Sequence, residues 1–281
     1  MAAPSQAVCE ITERECKSVL NKSGLADWAV NCYAGCEHGC CYCYARFATR
    51  FSHPNEPWGS FVDVKVNAAQ VLAQEVKRKR VGRVFVSSVC DGWQPSEATY
   101  LITRQCLDLL LRYRYPVTIL TKSALASRDL DLLARGDAVE FGVTLTTLEE
   151  GLSRLIEPKA SPPSERLALL DEAKRRGIRT YAFLGPLLPH LSDTEESLAP
   201  LLRAVKEVGA EYFYVDQLNP RFKVWESLRS MLQENFPQLI EGYRKILFDQ
   251  RARAQYSRKL AAGVGLLVRK QGIDDRLRLC F

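Results

Sequence analysis

Residues 28–46 read WAVNCYAGCEHGCCYCYAR, a short apolar run that leads into a loop rich in cysteine and glycine. The run at 28–31 predicts a buried strand, and the loop follows the carboxyl end of that strand. Three and then two residues separate Cys36, Cys40 and Cys43, so three thiolates can converge on one inorganic centre. Gly35 and Gly39 let the backbone fold tightly around that centre. We therefore expect a metal centre at the carboxyl end of the first strand.

The number of cysteine ligands separates two kinds of metal site. A structural zinc site or an electron-transfer cubane needs four donors, whereas a cubane held by three cysteines keeps one iron open. In a closed site, Cys32, Cys41 or His38 would be the fourth ligand. Adjacent cysteines such as Cys40 and Cys41 point apart on most backbones, and the sequence has no second CxxC pair. The spacing favours an open iron–sulfur site, and a zinc- or cluster-bearing binding module is the non-enzymatic alternative.

Beyond the loop, short apolar runs alternate with helical stretches. The runs are apolar on both faces, as buried strands are, and they lie at 28–31, 83–89, 117–121, 139–145, 179–184 and 212–216. Strands that alternate with helices pair in parallel through right-handed crossovers. Six such units fall short of a closed eight-stranded barrel. We therefore predict an α/β fold, an open partial (β/α)6 barrel with parallel strands, whose site lies where the carboxyl ends of the strands meet.

Several helix starts carry their own signals. We expect Asn67 to cap a helix that runs to residue 80. Ser192 and Glu195 have the spacing of a capping box. Ser161 followed by Pro162 suits the N-cap and the first position of a further helix.

The C-terminal part of the chain differs from the rest in charge. The whole chain has 39 basic and 33 acidic residues, a net charge of +6. Residues 1–220 carry 26 basic and 27 acidic side chains, whereas residues 221–281 carry 13 and 6, which places a net +7 in this last part. Leu228, Met231 and Leu232 recur there at helical spacing. We predict a barrel at 1–220, with a short N-terminal lead-in, and a basic helical extension at 221–281 packed on it. A basic face attracts nucleic acid, and a merely solvated helical face is the alternative.

The composition excludes several classes of protein. With 281 residues, 47% hydrophobic and 26% charged, the chain can build a core without disulfides. The sequence has no apolar run of about 18 residues for a membrane span, and residues 1–10 lack the features of a secretory signal. We therefore expect a cytoplasmic protein without membrane contact, whose ten cysteines are thiols or ligands.

The cysteine loop resembles that of the radical S-adenosylmethionine (SAM) superfamily. In both, a CxxxCxxC motif follows the first strand, with an aromatic residue, here Tyr42, before the last cysteine. Over about residues 16–220 the chain also resembles the branch of spore photoproduct lyase and DNA-repair-photolyase-like proteins. The residues that carry this likeness are Asn31, Gly35, Cys36, His38, Gly39, Cys40, Tyr42, Cys43, Tyr44, Ala45, Arg46, Asp91, Gln94, Pro95, Thr121, Lys122, Ser123, Arg128, Asp129, Leu130, Asp131, Glu157, Pro158 and Arg166. The cysteine motif is specific for the superfamily, and the downstream residues are specific for the branch but not for a substrate.

The resemblance implies a 4Fe-4S cluster on Cys36, Cys40 and Cys43. Its open iron would chelate the amino and carboxylate groups of S-adenosylmethionine. One electron from a reductase, or from a flavodoxin- or ferredoxin-type donor, would then cleave the cofactor to methionine and a 5′-deoxyadenosyl radical. In such an enzyme the cofactors carry the difficult chemistry, and the protein supplies position and excludes water.

Four residues are candidates for contacts with S-adenosylmethionine. Lys122 follows the third strand, where an ammonium group can pair with the methionine carboxylate. Asp91 follows the second strand and is a candidate acceptor from the ribose or the amino group. By resemblance, Thr144 stands where a hydroxyl contacts the cofactor, and Tyr42 lies near the adenine. Without the cysteine motif, each would be interpreted as an ordinary loop charge or strand-end residue.

Cys90 is the candidate catalytic residue. It ends the second strand beside Asp91 and faces the expected cavity, where a thiol can return a hydrogen atom to a product radical. The resemblance to spore photoproduct lyases places such a donor a couple of residues before the aspartate, where this chain has Ser88. Cys32 likewise replaces the proline expected after Asn31. The alternative for Cys90 is a small buried residue, which free cysteines often are.

These observations lead to two hypotheses for the substrate. The first is a radical enzyme with lyase-like or related chemistry that acts on a nucleic acid, in repair or modification. It rests on the branch resemblance and on the +7 extension. The second is a radical enzyme that acts on a peptide or a small metabolite, with the basic extension merely solvated.

Overall fold

The computed structural model describes residues 9–221 and 223–281. Most of the N-terminal segment in which we looked for a secretory signal lies outside these residues. The strands are β1 (Glu10–Arg14), β2 (Leu20–Lys22), β3 (Trp28–Val30), β4 (Tyr33–Ala34), β5 (Phe61–Lys65), β6 (Val84–Val86), β7 (Val117–Thr121), β8 (Val139–Thr144), β9 (Arg179–Leu187), β10 (Tyr212–Gln217) and β11 (Leu277–Leu279).

The helices lie between and after these strands. They are α1 (Ala68–Glu75), α2 (Glu97–Tyr100), α3 (Ile102–Arg112), α4 (Leu130–Leu133), α5 (Glu150–Ile156), α6 (Pro163–Arg175), α7 (Glu195–Glu207), α8 (Val224–Asn235), α9 (Ile240–Phe248) and α10 (Gln250–Gln271). Short 3-10 turns cover Tyr44–Thr49, Ala124–Asp129, Pro237–Leu239 and Asp274–Arg276.

The main sheet has the order β2-β3-β6-β7-β8-β9-β10-β11. From β3 to β11 every neighbouring pair is parallel, and only β2 pairs antiparallel, with β3. Within the described residues the edge strands β2 and β11 do not pair with each other, so the sheet stays open. The predicted open partial barrel is therefore confirmed, and β11 adds a seventh parallel strand to the six that were predicted.

The two faces of the sheet have different neighbours. On β8, Phe141 and Val143 belong to the same core as Leu169 and Leu170 of α6. The alternate residues of the strand, Gly142 and Thr144, therefore point to the opposite, inner face. A side chain at Gly142 would place its Cβ 2.4 Å from the ring of Tyr181 on β9, so only glycine leaves room for that ring. The Tyr181 ring thus fills the inner face beside Gly142.

Several predicted boundaries are wrong, because side chains take partners that the local sequence does not reveal. The helix that begins after Asn67 ends at Glu75 rather than at residue 80, since Arg78 N donates to Glu75 O in a tighter turn, at 3.0 Å. Instead of capping that helix, the Asn67 side chain bonds the backbone of Cys16. The strand predicted at 83–89 ends at Val86, because Ser87 takes a left-handed φ of 69°.

Two further helix starts differ from the predictions. The capping box at Ser192 does not form, because its hydroxyl accepts from Leu188 N at 2.9 Å, and Thr194 caps α7 instead. Helix α6 begins at Pro163, one residue later than predicted. The Ser161 hydroxyl accepts a hydrogen bond from Ala124 N at 2.8 Å, and so it joins the loops that follow β7 and α5.

A second, small sheet of order β1-β5-β4 lies beside the start of the barrel, and the sequence patterns did not predict it. It places Phe61 of β5 directly beneath the cysteine loop, because a Cβ at Gly35 would lie 2.5 Å from Phe61 O. Gly35 has a φ of 86°, which glycine adopts without strain. The small sheet therefore supports the loop from one side.

The chain beyond residue 221 packs on the barrel in two places. Leu228 and Leu232 of α8 share a core cluster with Cys40, Cys41 and Tyr42 of the cysteine loop. The apolar face of α10 joins the main core through Leu260, Val264, Leu267 and Val268. The chain then ends in β11, a strand rather than a helix, which covers the backbone groups at the free edge of β10. In the described part of the chain, no helix is long and apolar enough to cross a membrane.

Candidate active site

The cysteine loop lies between β4 and the 3-10 turn at Tyr44–Thr49. It folds back on itself twice, with Gly39 N donating to Cys36 O at 3.3 Å and Cys43 N donating to Cys40 O at 3.2 Å. Gly39 has a φ of 64°, as the first of these turns requires. Cys36 and Cys40 are buried, and Cys43 is half-buried. Two tight turns thus bring the three cysteines of the motif onto one short loop.

The three thiols share one electrostatic environment. Burial raises the pKa of Cys36 well above its usual range, and Asp91 and then the other two thiols, Cys40 and Cys43, raise it further. Burial likewise raises the pKa of Cys40 to about 12, against the opposing charge of Lys122. Without a metal group the cysteines are therefore protonated thiols, and on losing their protons they become the soft thiolate donors that iron–sulfur clusters take.

The arrangement of the thiols also bears on the kind of metal group. Among residues 9–221 and 223–281, no set of three or more His, Cys, Asp or Glu side chains is placed to hold a metal ion directly. An iron–sulfur cluster makes a different demand, because each cysteine binds a different iron and the sulfurs do not meet at one atom. The three thiols on their loop therefore fit a cluster held by three cysteines.

Glu37 attaches the cysteine loop to the loop after β6. Its backbone N donates to Gln94 Oε1 at 2.7 Å, and its carboxylate accepts from Ser96 N at 2.6 Å and from Ser96 Oγ at 2.5 Å. Glu37 and Ser96 are nearly buried, and Gln94 is fully buried. These bonds fix the first turn of the loop before any cofactor binds.

A second, charged attachment holds the end of the cysteine loop at Tyr42. The Tyr42 hydroxyl donates to Glu157 Oε1, and Glu157 Oε2 lies 2.5 Å from Arg166 Nη2 in a pair that is almost fully buried. Arg166 also donates to Thr144 O at 3.0 Å and to Ser161 O at 2.7 Å. Burial alone would raise the pKa of Glu157, but Arg166 and Lys122 hold it below its usual range. The carboxylate therefore stays ionised and anchors Tyr42.

Lys122 is a cation whose charge acts on Cys40 and Cys43. Burial by itself would lower its pKa, but Cys40, Glu157, Asp91 and Cys43 raise the pKa above its usual range, so the ammonium stays charged. In the described residues, its Nζ makes no ion pair within 4.0 Å. An ammonium group that lies beside the cysteines without a direct partner is available to an anionic ligand.

The Asp91 carboxylate accepts hydrogen bonds from groups of the protein itself. Its carboxylate accepts from Trp93 N at 2.9 Å, Thr121 Oγ1 at 2.8 Å and Lys122 N at 2.8 Å. His38 Nδ1 of the cysteine loop lies 3.5 Å away. Asp91 therefore orients the turn that carries Lys122, and its predicted contact with the ribose or amino group stays a prediction.

Thr144 lies at the carboxyl end of β8, opposite Phe183 of β9, on the inner face of the sheet. It is nearly buried, and its carbonyl is held by Arg166. Tyr42 is also buried, in the core that joins the loop to α8. The structure thus places Thr144 beside the loop network, whereas the predicted contacts of Thr144 and Tyr42 with the cofactor stay predictions.

Cys90 is half-buried and lies in the turn after β6. Asn31 holds this turn, since its side chain accepts from Val89 N at 3.0 Å and donates to Ser88 Oγ at 3.1 Å. The Cys90 Sγ lies 3.7 Å from Asn31 Oδ1. Burial raises the pKa of Cys90 to about 12, so the S–H bond is intact at neutral pH.

The sequence reasoning did not assign four residues of this site, Glu37, Gln94, Glu157 and Arg166. Three of them, Gln94, Glu157 and Arg166, are among the residues that carry the family likeness. That likeness was the feature of the sequence from which they could have been assigned to the site. These residues hold the cysteine loop in position, because Glu37 and Gln94 attach it to the loop after β6, and Glu157, paired with Arg166, attaches it at Tyr42.

Comparisons of the sequence with known proteins identify the family of this chain. The family model described as the Radical SAM superfamily matches residues 30–202. The uncharacterized protein MJ0683 of Methanocaldococcus jannaschii is 32% identical over 235 residues, 83% of this chain and 86% of the relative. The uncharacterized protein Rv2578c of Mycobacterium tuberculosis is 32% identical over 243 residues, 82% of this chain and 72% of the relative.

A solved structure shares the fold. Spore photoproduct lyase complexed with dinucleoside spore photoproduct superposes with a TM-score of 0.68, at 15% sequence identity, over 96% of this chain and 82% of that chain. Members of the matched superfamily use a 4Fe-4S cluster and S-adenosylmethionine, and they need an electron donor. The chain belongs to the radical SAM superfamily and is a radical SAM enzyme.

Proposed function

We propose that Cys36, Cys40 and Cys43 hold the 4Fe-4S cluster, with Lys122 and Thr144 facing bound S-adenosylmethionine. The observation that carries this proposal is the short loop of three thiols together with the charged Lys122, which acts on two of them and has no ion pair among residues 9–221 and 223–281. When bound, the reduced cluster supplies the electron that cleaves S-adenosylmethionine and yields a 5′-deoxyadenosyl radical. A flavodoxin- or ferredoxin-type protein, or a reductase, is the proposed donor of that electron.

In this proposal the chain itself positions the reactants. Lys122 binds the methionine carboxylate, because a charge-assisted hydrogen bond is strong in a site that excludes water. Glu37 and Glu157 fix the two ends of the cysteine loop, so the ligands need not be ordered when the cluster binds. Cys90 donates a hydrogen atom from its intact S–H bond to a product radical.

The test of the ligand assignment is anaerobic reconstitution of two matched variants with iron and sulfide. Cys40→Ala removes a proposed ligand, whereas Cys41→Ala removes its equally buried neighbour, which packs in the same core. We expect Cys40→Ala to lose most of its iron and its formation of 5′-deoxyadenosine, and Cys41→Ala to retain both. Equal iron loss in the two variants, or stoichiometric zinc without cofactor cleavage, would contradict the assignment.

We further propose that the substrate is a nucleic acid, in a repair or modification reaction of a lyase-like kind. Residues 221–281 carry 13 basic and 6 acidic side chains. Among the described residues, several exposed cations of this region make no ion pair within 4.0 Å, namely Arg229, Lys245, Arg251, Arg258 and Lys259. The solved structure with the same fold holds a dinucleoside. Unpaired surface cations are the groups that phosphates bind.

The test of the substrate class is binding at graded salt. We expect affinity for DNA or RNA to fall steeply between about 50 and 200 mM salt, because each phosphate contact releases counterions. Absence of binding to any nucleic acid at low salt would refute this half of the proposal. It would favour a peptide or a small metabolite as the substrate and leave the cluster assignment intact.

A further inference from the structure

The segment directly after the cysteine loop exposes aromatic side chains. Phe51 is 85% exposed and Tyr44 is 39% exposed. The rings of Tyr44 and Phe47 stack with their centroids 6.3 Å apart and their planes 17° apart. Exposure of so large an apolar ring as Phe51 gains nothing for folding, because burial is what stabilises such a side chain. We refer to Tyr44, Phe47 and Phe51, with the cations described next, as the aromatic rim.

Guanidinium groups lie on these rings. Arg50 Cζ is 4.6 Å from the centroid of Phe51, and Arg221 Cζ is 5.8 Å from the centroid of Phe47. Residues 44–52 contain no Asp or Glu. In the described residues, neither Arg50 nor Arg221 has an ion pair within 4.0 Å. The rim therefore combines flat apolar faces with positive charge that no acidic side chain neutralises.

Contacts of Tyr44 and Phe47 place the rim at the carboxyl ends of the barrel strands, and Phe51 adjoins them through Arg50, whose Nη1 donates to Phe47 O at 3.4 Å. The Tyr44 hydroxyl donates to Ser88 O at 2.8 Å, two residues before Cys90. Arg221 lies in the segment that follows β10. The rim therefore extends from the cysteine loop to the end of β10.

We propose that the aromatic rim binds unpaired bases of single-stranded nucleic acid at the opening of the active site. Exposed aromatic rings stack on bases of any sequence, and neighbouring arginines bind the phosphates between them. A base in a duplex is already stacked on both faces and offers no free face to the rim. This inference rests on the proposed nucleic-acid substrate and adds that the nucleic acid is unpaired where it enters.

An apolar protein partner fits the rim less well. Such a partner would have to cover Arg50 and Arg221 without neutralising them, which costs desolvation energy. A nucleic acid offers a face for each ring and a phosphate for each guanidinium, so it satisfies both features at once.

The experiment compares the reconstituted full-length enzyme with its variants by fluorescence anisotropy. The probes are labelled mixed-sequence DNA and RNA single strands of about 12 nucleotides, and the duplex of the same DNA. Phe51→Ala should weaken single-strand binding about 5- to 100-fold, and Phe51→Trp should restore it. Duplex binding should change little. Because Phe51 is exposed, an unchanged melting temperature should show that the variant is folded.

Tyr113→Ala is the matched control, since Tyr113 is 38% exposed and precedes β7 at the amino end of the strands. We expect it to bind like the wild type. Wild-type affinity in Phe51→Ala, or an equal loss with duplex and single strand, would overturn the rim while leaving a nucleic-acid substrate intact. Absence of nucleic-acid binding by the wild type would overturn both, and binding of peptides alone would do the same.

Discussion

Arg166→Met tests the buried charge pair under the cysteine loop. Methionine keeps much of the side-chain volume and removes the guanidinium, whose Nη2 lies 2.5 Å from Glu157 Oε2. Glu157 would remain buried without its partner, and the carbonyls of Thr144 and Ser161 would lose their donors. Removing one partner of a buried pair typically costs about 3–5 kcal/mol. We expect that loss in the free energy of unfolding near pH 8.

The loss of unfolding free energy in Arg166→Met should depend on pH, and the pKa of Glu157 decides the direction of that dependence. In the wild type the pKa of Glu157 is lowered, so its contribution to stability is present above the unfolded pKa and is lost as pH falls through the folded pKa. In the variant, burial raises the folded pKa instead. The folded state then binds a proton that the unfolded chain releases, so stability falls as pH rises through this window. The deficit of the variant should therefore shrink from about pH 8 to pH 5, by about 1.4 kcal/mol for each unit by which the variant's folded pKa of Glu157 exceeds about 5.

Urea unfolding of the metal-free protein under anaerobic conditions, followed by fluorescence, measures the deficit at each pH. A double-mutant cycle with Glu157→Gln isolates the pair, and Glu157→Gln/Arg166→Met should be more stable than Arg166→Met alone near pH 8. A deficit below about 1 kcal/mol that is equal at both pH values would refute the reasoning.

Three further predictions follow from other contacts. Gly142→Ala should lower the free energy of unfolding by about 1–3 kcal/mol in urea titrations, because its Cβ would lie 2.4 Å from the Tyr181 ring; Tyr181→Leu in the same chain should recover part of the loss. Asp216→Asn should stabilise the protein by up to about 2 kcal/mol near pH 7.5 and have no effect near pH 4. Burial raises the pKa of Asp216 to about 6, so wild-type stability falls as pH rises from about 4 to 6. Lys122→Met should weaken S-adenosylmethionine binding about 10- to 100-fold in equilibrium dialysis with iron content unchanged, and parallel loss of iron would contradict a contact with the cofactor.

Sequence patterns were sufficient to predict the main sheet, but not the small sheet or the helix caps. The six predicted parallel strands are mostly buried, and their largely apolar runs are visible directly in the sequence, although β10 alternates buried with half-buried residues. The small sheet was missed because β1 is a mostly exposed strand and β4 has two residues, so neither carries such a run. The predicted caps at Asn67 and Ser192 were wrong for another reason. Both side chains accept hydrogen bonds from backbone groups outside α1 and α7, the helices that they were expected to cap.

The candidate site divides in the same way. The ligand spacing of Cys36, Cys40 and Cys43 is local, so the sequence by itself determined the cysteine motif, the superfamily it resembles and the order of the βα units. Tertiary structure alone decided that Glu157, 114 residues after Cys43, lies under the loop, and that α8 of the basic extension packs against it. It also decided that Asp91 is occupied by internal donors. The physical reason is that the spacing of the ligands depends only on residues close together in the sequence. The partner of a buried charge depends instead on which distant segments the folded sheet brings together.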